Sequence, residues 1–91
     1  MQEYEVSVRV SNSRDATITF VLEPWGEIYA MESHVTFLLH LRSSIQGSIE
    51  IDYGCDRITI YAWEDCVASL FKDEKELGAG ASSRTHVPKI P

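Results

Sequence analysis

Apolar and polar side chains alternate along most of the chain, and this two-residue period constrains the fold more than any other feature of the sequence. Between Glu3 and Val10 the odd positions are all polar, and the even positions are Tyr4, Val6, Val8 and Val10. Successive side chains of a β-strand point to opposite faces, whereas the apolar residues of an amphipathic helix recur every three or four positions. The segment is therefore predicted to be a strand with one buried face.

The alternation recurs six more times between clusters of turn residues. We predict further strands at 17–23, 27–31, 34–42, 48–53, 57–63 and 66–72, a turn at Pro24-Trp25-Gly26, and one turn of helix at 73–77. About seven short strands separated by turns are typical of an all-β fold, a small antiparallel β-sandwich or barrel. An immunoglobulin-like Greek key and a jelly-roll, cupin-like arrangement both fit this pattern.

A change in composition divides the chain into a single β-sandwich domain at 1–77 and a C-terminal tail at 78–91. The tail begins Gly-Ala-Gly-Ala-Ser-Ser and has no alternating apolar positions. Such a segment buries too little apolar area to offset the conformational entropy that is lost on ordering. We expect it to be flexible and disordered.

All 14 acidic residues lie between Glu3 and Glu76, where only six lysines and arginines accompany them, so the predicted domain carries a net charge of −8. Nucleic-acid binding depends on lysines and arginines that neutralise phosphates, so a nucleic-acid partner is not expected. A basic protein partner is favoured instead. The acidic N-terminus resembles no export signal and no apolar stretch approaches the ~20 residues of a membrane span, so we expect no membrane association and a cytoplasmic location.

The two cysteines, Cys55 and Cys66, flank the predicted strand 57–63. A strand of that length separates them by about 20 Å, whereas a disulfide requires α-carbons within ~7 Å. We therefore expect free thiols, which agrees with a reducing compartment. Acidic neighbours disfavour the thiolate of Cys66, and neither cysteine is expected to be a nucleophile.

Two histidines and two carboxylates are the candidate ligand residues of an alternative function, a cupin-like small-ligand or metal-binding protein. His34 and His40 share one face of a predicted strand but lie about 20 Å apart, too far to bind one metal ion. Glu50 and Asp52 share the polar face of another strand, about 6–7 Å apart, which is also the pattern of a solvated face. We predict no metal and no cofactor. The sequence contains no Gly-x-Ser-x-Gly, His-Glu-x-x-His or Cys-x-x-Cys motif, and we do not expect an enzyme.

Large aromatic residues suggest a different kind of site. If Ile58 and Ile60 face the core, the two-residue period places Tyr61 and Trp63 on the outside of the domain, where they form an aromatic patch. Trp25, which lies in the predicted turn at Pro24-Trp25-Gly26, is a candidate for the same patch. The alternative is that Tyr61 and Trp63 lie on the second buried face of a curled sheet and that Trp25 caps one end of the sandwich. The patch and the acidic charge together predict a non-catalytic β-domain that binds a protein partner or forms a homo-oligomer. An acidic inhibitor or immunity protein against a basic toxin or nuclease is a further alternative.

The segment 20–27, Phe-Val-Leu-Glu-Pro-Trp-Gly-Glu, continues to Tyr29 and Met31, and similar matches follow at 47–54 and 57–61. These segments resemble small uncharacterised bacterial proteins that carry a Glu-Pro-Trp-Gly motif. The relatives continue after Met31 with a Pro-Pro-Gly-like segment, where this chain has Glu32-Ser33. The resemblance implies a compact bacterial β-domain and carries no activity or site residue.

Overall fold

The computed structural model describes residues 3–77, which form eight β-strands and no helix. The strands are β1 (Tyr4–Ser11), β2 (Ile18–Glu23), β3 (Glu27–Met31), β4 (Thr36–Ser43), β5 (Glu50–Tyr53), β6 (Arg57–Tyr61), β7 (Val67–Lys72) and β8 (Lys75–Glu76). The expected all-β class is confirmed. The predicted tail at 78–91 lies outside the described residues. In the described part of the chain, no helix is long and apolar enough to cross a membrane.

The strands form two four-stranded sheets. The first sheet has the order β1-β4-β7-β8 and the second sheet has the order β3-β2-β6-β5. The chain passes between the sheets after β1, β3, β4 and β6. Both sheets have open edges, so the described chain is a sandwich rather than a closed barrel.

One strand pair departs from the antiparallel arrangement that we expected. β2 and β6 are neighbours in the centre of the second sheet and run parallel, with Phe20 opposite Ile58 and Leu22 opposite Ile60. Both strands therefore bury their even-numbered residues against the core. Parallel neighbours need a long connection, and here it consists of β3, β4 and β5, which pass through both sheets.

The core lies between the two sheets. Phe20 of the second sheet and Phe37 of the first meet edge-on, with ring centroids 5.3 Å apart and an interplanar angle of 79°. Leucine, isoleucine and methionine side chains from both sheets surround this pair, and most are fully buried: Leu22, Met31, Leu39, Leu41, Ile60 and Leu70. The two-residue period places Leu22, Leu39, Leu41 and Ile60 on the apolar faces of their predicted strands, whereas it does not show which face of 27–31 is buried.

Three segments differ from the sequence-based expectation. β4 begins at Thr36, because His34 lies in the preceding turn with a φ of 63°. β6 ends at Tyr61, two residues before the predicted end. The predicted helical turn at 73–77 is instead a tight β-hairpin between β7 and β8, in which Asp73 and Glu74 both have positive φ. Two consecutive residues with positive φ define the turn that matches the twist of paired strands.

Candidate functional site

The outer face of the second sheet combines exposed apolar groups with acidic ones. One row of paired residues crosses all four strands: Ile28 lies opposite Val21, Val21 opposite Thr59, and Thr59 opposite Asp52. In the next row, Tyr61 lies between Glu23 and Glu50. We call the surface formed by Val21, Glu23, Ile28, Glu50, Asp52, Thr59 and Tyr61 the acidic–apolar face.

Two large side chains of this face remain open to solvent. Ile28 is 69% exposed, and Tyr61 is 38% exposed. Thr59 is 7% exposed even though it points away from the core, because its neighbours on both adjoining strands cover it. The centre of the face is therefore a closely packed β-branched surface, with an isoleucine at one side and a tyrosine flanked by two glutamates along its margin. The predicted outward position of Tyr61 is confirmed.

Trp63 does not belong to this face, and its expected outward orientation is wrong. Its side chain is half-buried against the core, and its indole N–H donates a hydrogen bond to the carbonyl oxygen of Ile45 at 2.7 Å. The ring covers Gly47, where an added β-carbon would lie 2.1 Å from Cδ1 of the indole. Because β6 ends at Tyr61, the alternation that predicts an exposed tryptophan does not extend to this residue.

Trp25 has a similar position at another connection. It lies in the turn between β2 and β3, and its side chain is half-buried and packed against the core. Gly26, which follows it, has a φ of 72°, a conformation that glycine adopts without steric cost. Both tryptophans thus pack against the core, which agrees with the alternative for these two residues but not for Tyr61, which is exposed. Of the three aromatic residues proposed for a patch, Tyr61 is the one that is exposed.

The four residues of the cupin-like alternative are not brought together. His34 lies in the β3–β4 turn, where its Nε2 is 3.2 Å from Oδ1 of Asp15. His40 lies on β4 in the first sheet, whereas Glu50 and Asp52 are exposed on β5 in the second sheet. Within 3–77, no group of three or more histidine, cysteine, aspartate or glutamate side chains is arranged to hold a metal ion.

A serine, a histidine and a glutamate do meet on the outside of the first sheet. Nδ1 of His40 is 3.0 Å from Oγ of Ser7, and its Nε2 is 3.4 Å from Oε1 of Glu5. Ser7 and Glu5 are both on β1, and Ser7 pairs directly with His40. Backbone N–H groups of a regular strand lie in the plane of the sheet, so they do not converge beside the serine as an oxyanion hole requires. This cluster is a set of cross-strand polar contacts.

Both cysteines are free thiols, as the sequence predicts. Cys66 is fully buried. Burial raises the pKa of its thiol, a backbone hydrogen bond with Trp63 partly offsets this, and the charge of Asp65 adds a smaller increase, so that the pKa is about 11. Cys55 is exposed in the connection between β5 and β6. Because its pKa is raised, the buried Cys66 thiol is neutral at physiological pH. Burial and a hydrogen bond to Glu27 likewise raise the pKa of the Tyr29 phenol.

Sequence reasoning missed Ile28 as a surface residue. The predicted strand 27–31 is short, and its alternation of Ile28 and Ala30 with Tyr29 and Met31 does not show which face is buried. The register decides this question, because Tyr29 pairs with Phe20 of the core and so places Ile28 on the opposite face.

Comparison with models of protein families, with curated proteins and with solved structures found no match to this chain. The resemblance to proteins with a Glu-Pro-Trp-Gly motif stays a sequence-based prediction.

Proposed function

We propose that this chain is a non-catalytic protein-binding domain that presents the acidic–apolar face of the second sheet to a basic protein. The observation that carries the proposal is the row from Ile28 through Val21 and Thr59 to Asp52, with Tyr61 and its two glutamates beside it. Exposed isoleucine and tyrosine side chains supply apolar contact area, and aromatic residues are enriched at the centres of protein interfaces.

The charge of the domain favours a basic partner over a second copy of the same chain. Residues 3–77 contain 14 acidic side chains and six lysines and arginines. Glu23, Glu50 and Asp52 all lie on the proposed face, so two copies that met through it would place like charges together. Like charges across an interface oppose association, whereas complementary charges increase the association rate. We therefore propose a monomer that binds a basic surface.

Affinity capture with charge-reversed variants tests this proposal. The test variant carries Glu23→Lys and Glu50→Lys, and the control carries Glu3→Lys and Glu74→Lys, which lie outside the face. Both variants change the net charge by the same amount, so they affect long-range attraction alike and differ only in contacts at the face. Proteins from the source organism are captured on the wild-type domain and on both variants, and each retained protein is then purified for binding measurements.

We expect at least one basic protein that the wild type and the control bind and that the test variant does not bind. Loss of a charge contact within an interface costs about 2–5 kcal/mol, which weakens binding by about thirtyfold or more. If both variants lose binding equally, the interaction is general charge attraction and the proposed face is wrong. Equal retention by all three proteins contradicts the proposal in the same way.

An inhibitor or immunity protein against a basic toxin or nuclease is a more specific form of the same function. It is favoured by the net charge of −8 in the domain, which suits the occlusion of a basic active-site surface. The test is coexpression with toxic products of genes adjacent to its own. Rescue of growth by the wild type and the control, but not by the Glu23→Lys, Glu50→Lys variant, is the expected result, and absence of rescue contradicts this second candidate.

A further inference from the structure

A cleft lies at one end of the sandwich, between the β1–β2 connection and the β5–β6 connection. It has a volume of about 170 Å³. Its walls come from 11–14 on one side and from 53–55 and Arg57 on the other, and the core residues Ile18 and Ile58 also line it. The cleft is separate from the Glu23–Tyr61–Glu50 row of the acidic–apolar face.

The charge of this cleft is opposite to that of the rest of the domain. Two of the four arginines in 3–77, Arg14 and Arg57, line it. None of its lining residues in the described part of the chain is acidic, although that part contains all 14 acidic side chains of the protein. Within 3–77, neither guanidinium group forms an ion pair with a carboxylate. The two cations therefore face a shared opening without an internal counter-ion.

Hydrogen bonds hold both walls of the cleft in place. The side-chain amide of Asn12, which is 2% exposed, donates to the carbonyl oxygens of Ala16, Met31 and Glu32, and its Oδ1 accepts the backbone N–H of Arg14 at 3.0 Å. On the other wall, the N–H of Gly54 bonds the carbonyl of Arg57 at 2.7 Å. A site held in this way loses little further conformational entropy when a ligand binds.

The size of the cleft limits what it can hold. Pockets for drug-sized ligands and cofactors have volumes of about 300–1,000 Å³. A water molecule takes up about 30 Å³ of liquid, so the cleft has room for about five or six waters. It suits a small anion with part of its hydration shell and is too small to enclose a nucleotide.

We propose that this cleft binds a phosphate dianion, either inorganic phosphate or the phosphate group of a small monoester. Arginine guanidinium groups offer planar, paired N–H donors that match phosphate oxygens, and they stay charged at all physiological pH values. The hydroxyls of Ser11 and Ser13 and the phenol of Tyr53, which also line the cleft, are further hydrogen-bond donors. This site is independent of the protein-binding face.

Cys55 serves as a reporter inside the site, because its exposed thiol lines the same cleft while Cys66 is fully buried. The full chain is alkylated with neutral iodoacetamide at pH 7.5 in increasing inorganic phosphate, with sodium chloride added to hold the ionic strength constant. Phosphoserine in place of inorganic phosphate tests the monoester. At a ligand concentration ten times the dissociation constant, we expect alkylation of Cys55 to slow by about tenfold.

The test variant is Arg14→Gln with Arg57→Gln, and the charge-matched control is Arg9→Gln with Arg42→Gln, two positions outside the cleft. We expect saturable protection in the wild type and in the control, and none in the test variant. Equal protection by phosphate and phosphoserine identifies the phosphate group as the whole ligand, and stronger protection by phosphoserine shows that the cleft also contacts the ester. Equal protection by chloride alone, or protection that persists in the test variant, overturns the proposal.

Amide chemical-shift mapping on the wild type makes the test independent of whether the variants fold. Phosphate should shift the amides of 11–14 and 53–57 and leave those of β4 and β7 unchanged. Shifts distributed over the whole domain, or none at millimolar phosphate, contradict a site in this cleft.

Discussion

Substitution of Gly47 by alanine tests how the chain positions Trp63. The added β-carbon would lie 2.1 Å from Cδ1, 2.3 Å from Cγ and 2.7 Å from Nε1 of the indole. Carbon atoms in contact are ordinarily about 3.5–4.0 Å apart, so the ring must move by more than about 1 Å. That movement also breaks the hydrogen bond from the indole N–H to the carbonyl of Ile45.

Two contributions set the expected loss of stability. Forcing an extra carbon into a packed site costs about 1–3 kcal/mol, and the lost hydrogen bond adds about 1 kcal/mol. We therefore expect Gly47→Ala to lower the free energy of unfolding by about 2–4 kcal/mol. The total for a domain of this size is about 4–11 kcal/mol, so the variant should be markedly less stable and part of its population should unfold at moderate temperature.

Urea unfolding followed by circular dichroism and tryptophan fluorescence measures the effect. A Trp25→Phe background leaves Trp63 as the only fluorophore of its type. Gly54→Ala is the matched control, because its added carbon would meet its nearest atoms at 3.6 and 3.8 Å, which is ordinary contact. If Gly47→Ala is as stable as Gly54→Ala and its Trp63 emission is unchanged, the indole does not lie over Gly47 and the reasoning is refuted.

Three further predictions concern the core and the charge of the domain. Asn12→Ala should cost about 3 kcal/mol in urea unfolding. The two amide hydrogens are shared among three carbonyls and so form about two well-formed bonds, and the bond to the Arg14 N–H is a third, at about 1 kcal/mol each; a cost below about 1 kcal/mol contradicts this role. Because burial raises the pKa of the Cys66 thiol to about 11, the stability it contributes is complete below pH 9 and decreases as the pH rises toward 11. Between pH 7.5 and 10.5 the wild type should lose about 2 kcal/mol more than Cys66→Ala, and equal losses refute the assignment. Sedimentation at low salt should give a monomer at every concentration, and a dimer would contradict the preference for a basic partner.

The sequence predicts strands well where the alternation of apolar and polar residues is long. It predicts them poorly where the arrangement of the strands in the sheets decides where a strand ends and which face is buried. The eight-residue alternation of β1 and the apolar face of β4 specify which side chains enter the core. Whether the Trp63 side chain is exposed depends on where β6 ends, and the alternation alone does not show the last residue of that strand. A hairpin replaces the predicted helical turn because Asp73 and Glu74 adopt positive φ, a conformation in which aspartate is enriched but glutamate is not.

The candidate sites were harder to predict because they join distant parts of the chain. Arg14 lies in the β1–β2 connection and Arg57 is the first residue of β6, and the parallel pairing of β2 with β6 brings them to the same end of the sandwich. The acidic–apolar face likewise depends on the order β3-β2-β6-β5. His40, Glu50 and Asp52 lie on strands as predicted, whereas His34 lies in a turn and not on the predicted strand. Their distribution over two sheets follows from connections that the alternation does not encode.

Site-specific photo-cross-linking tests the protein-binding face most directly. A benzophenone amino acid is placed at Ile28, on the acidic–apolar face, or at Arg42, which is exposed on the outer face of the first sheet. The proteins are expressed in the source organism and irradiated. We predict that position 28 forms a discrete adduct with one basic protein, that Glu23→Lys and Glu50→Lys abolish this adduct, and that position 42 forms none with that protein. The same adduct from position 42, or no adduct from position 28, would contradict the proposed face.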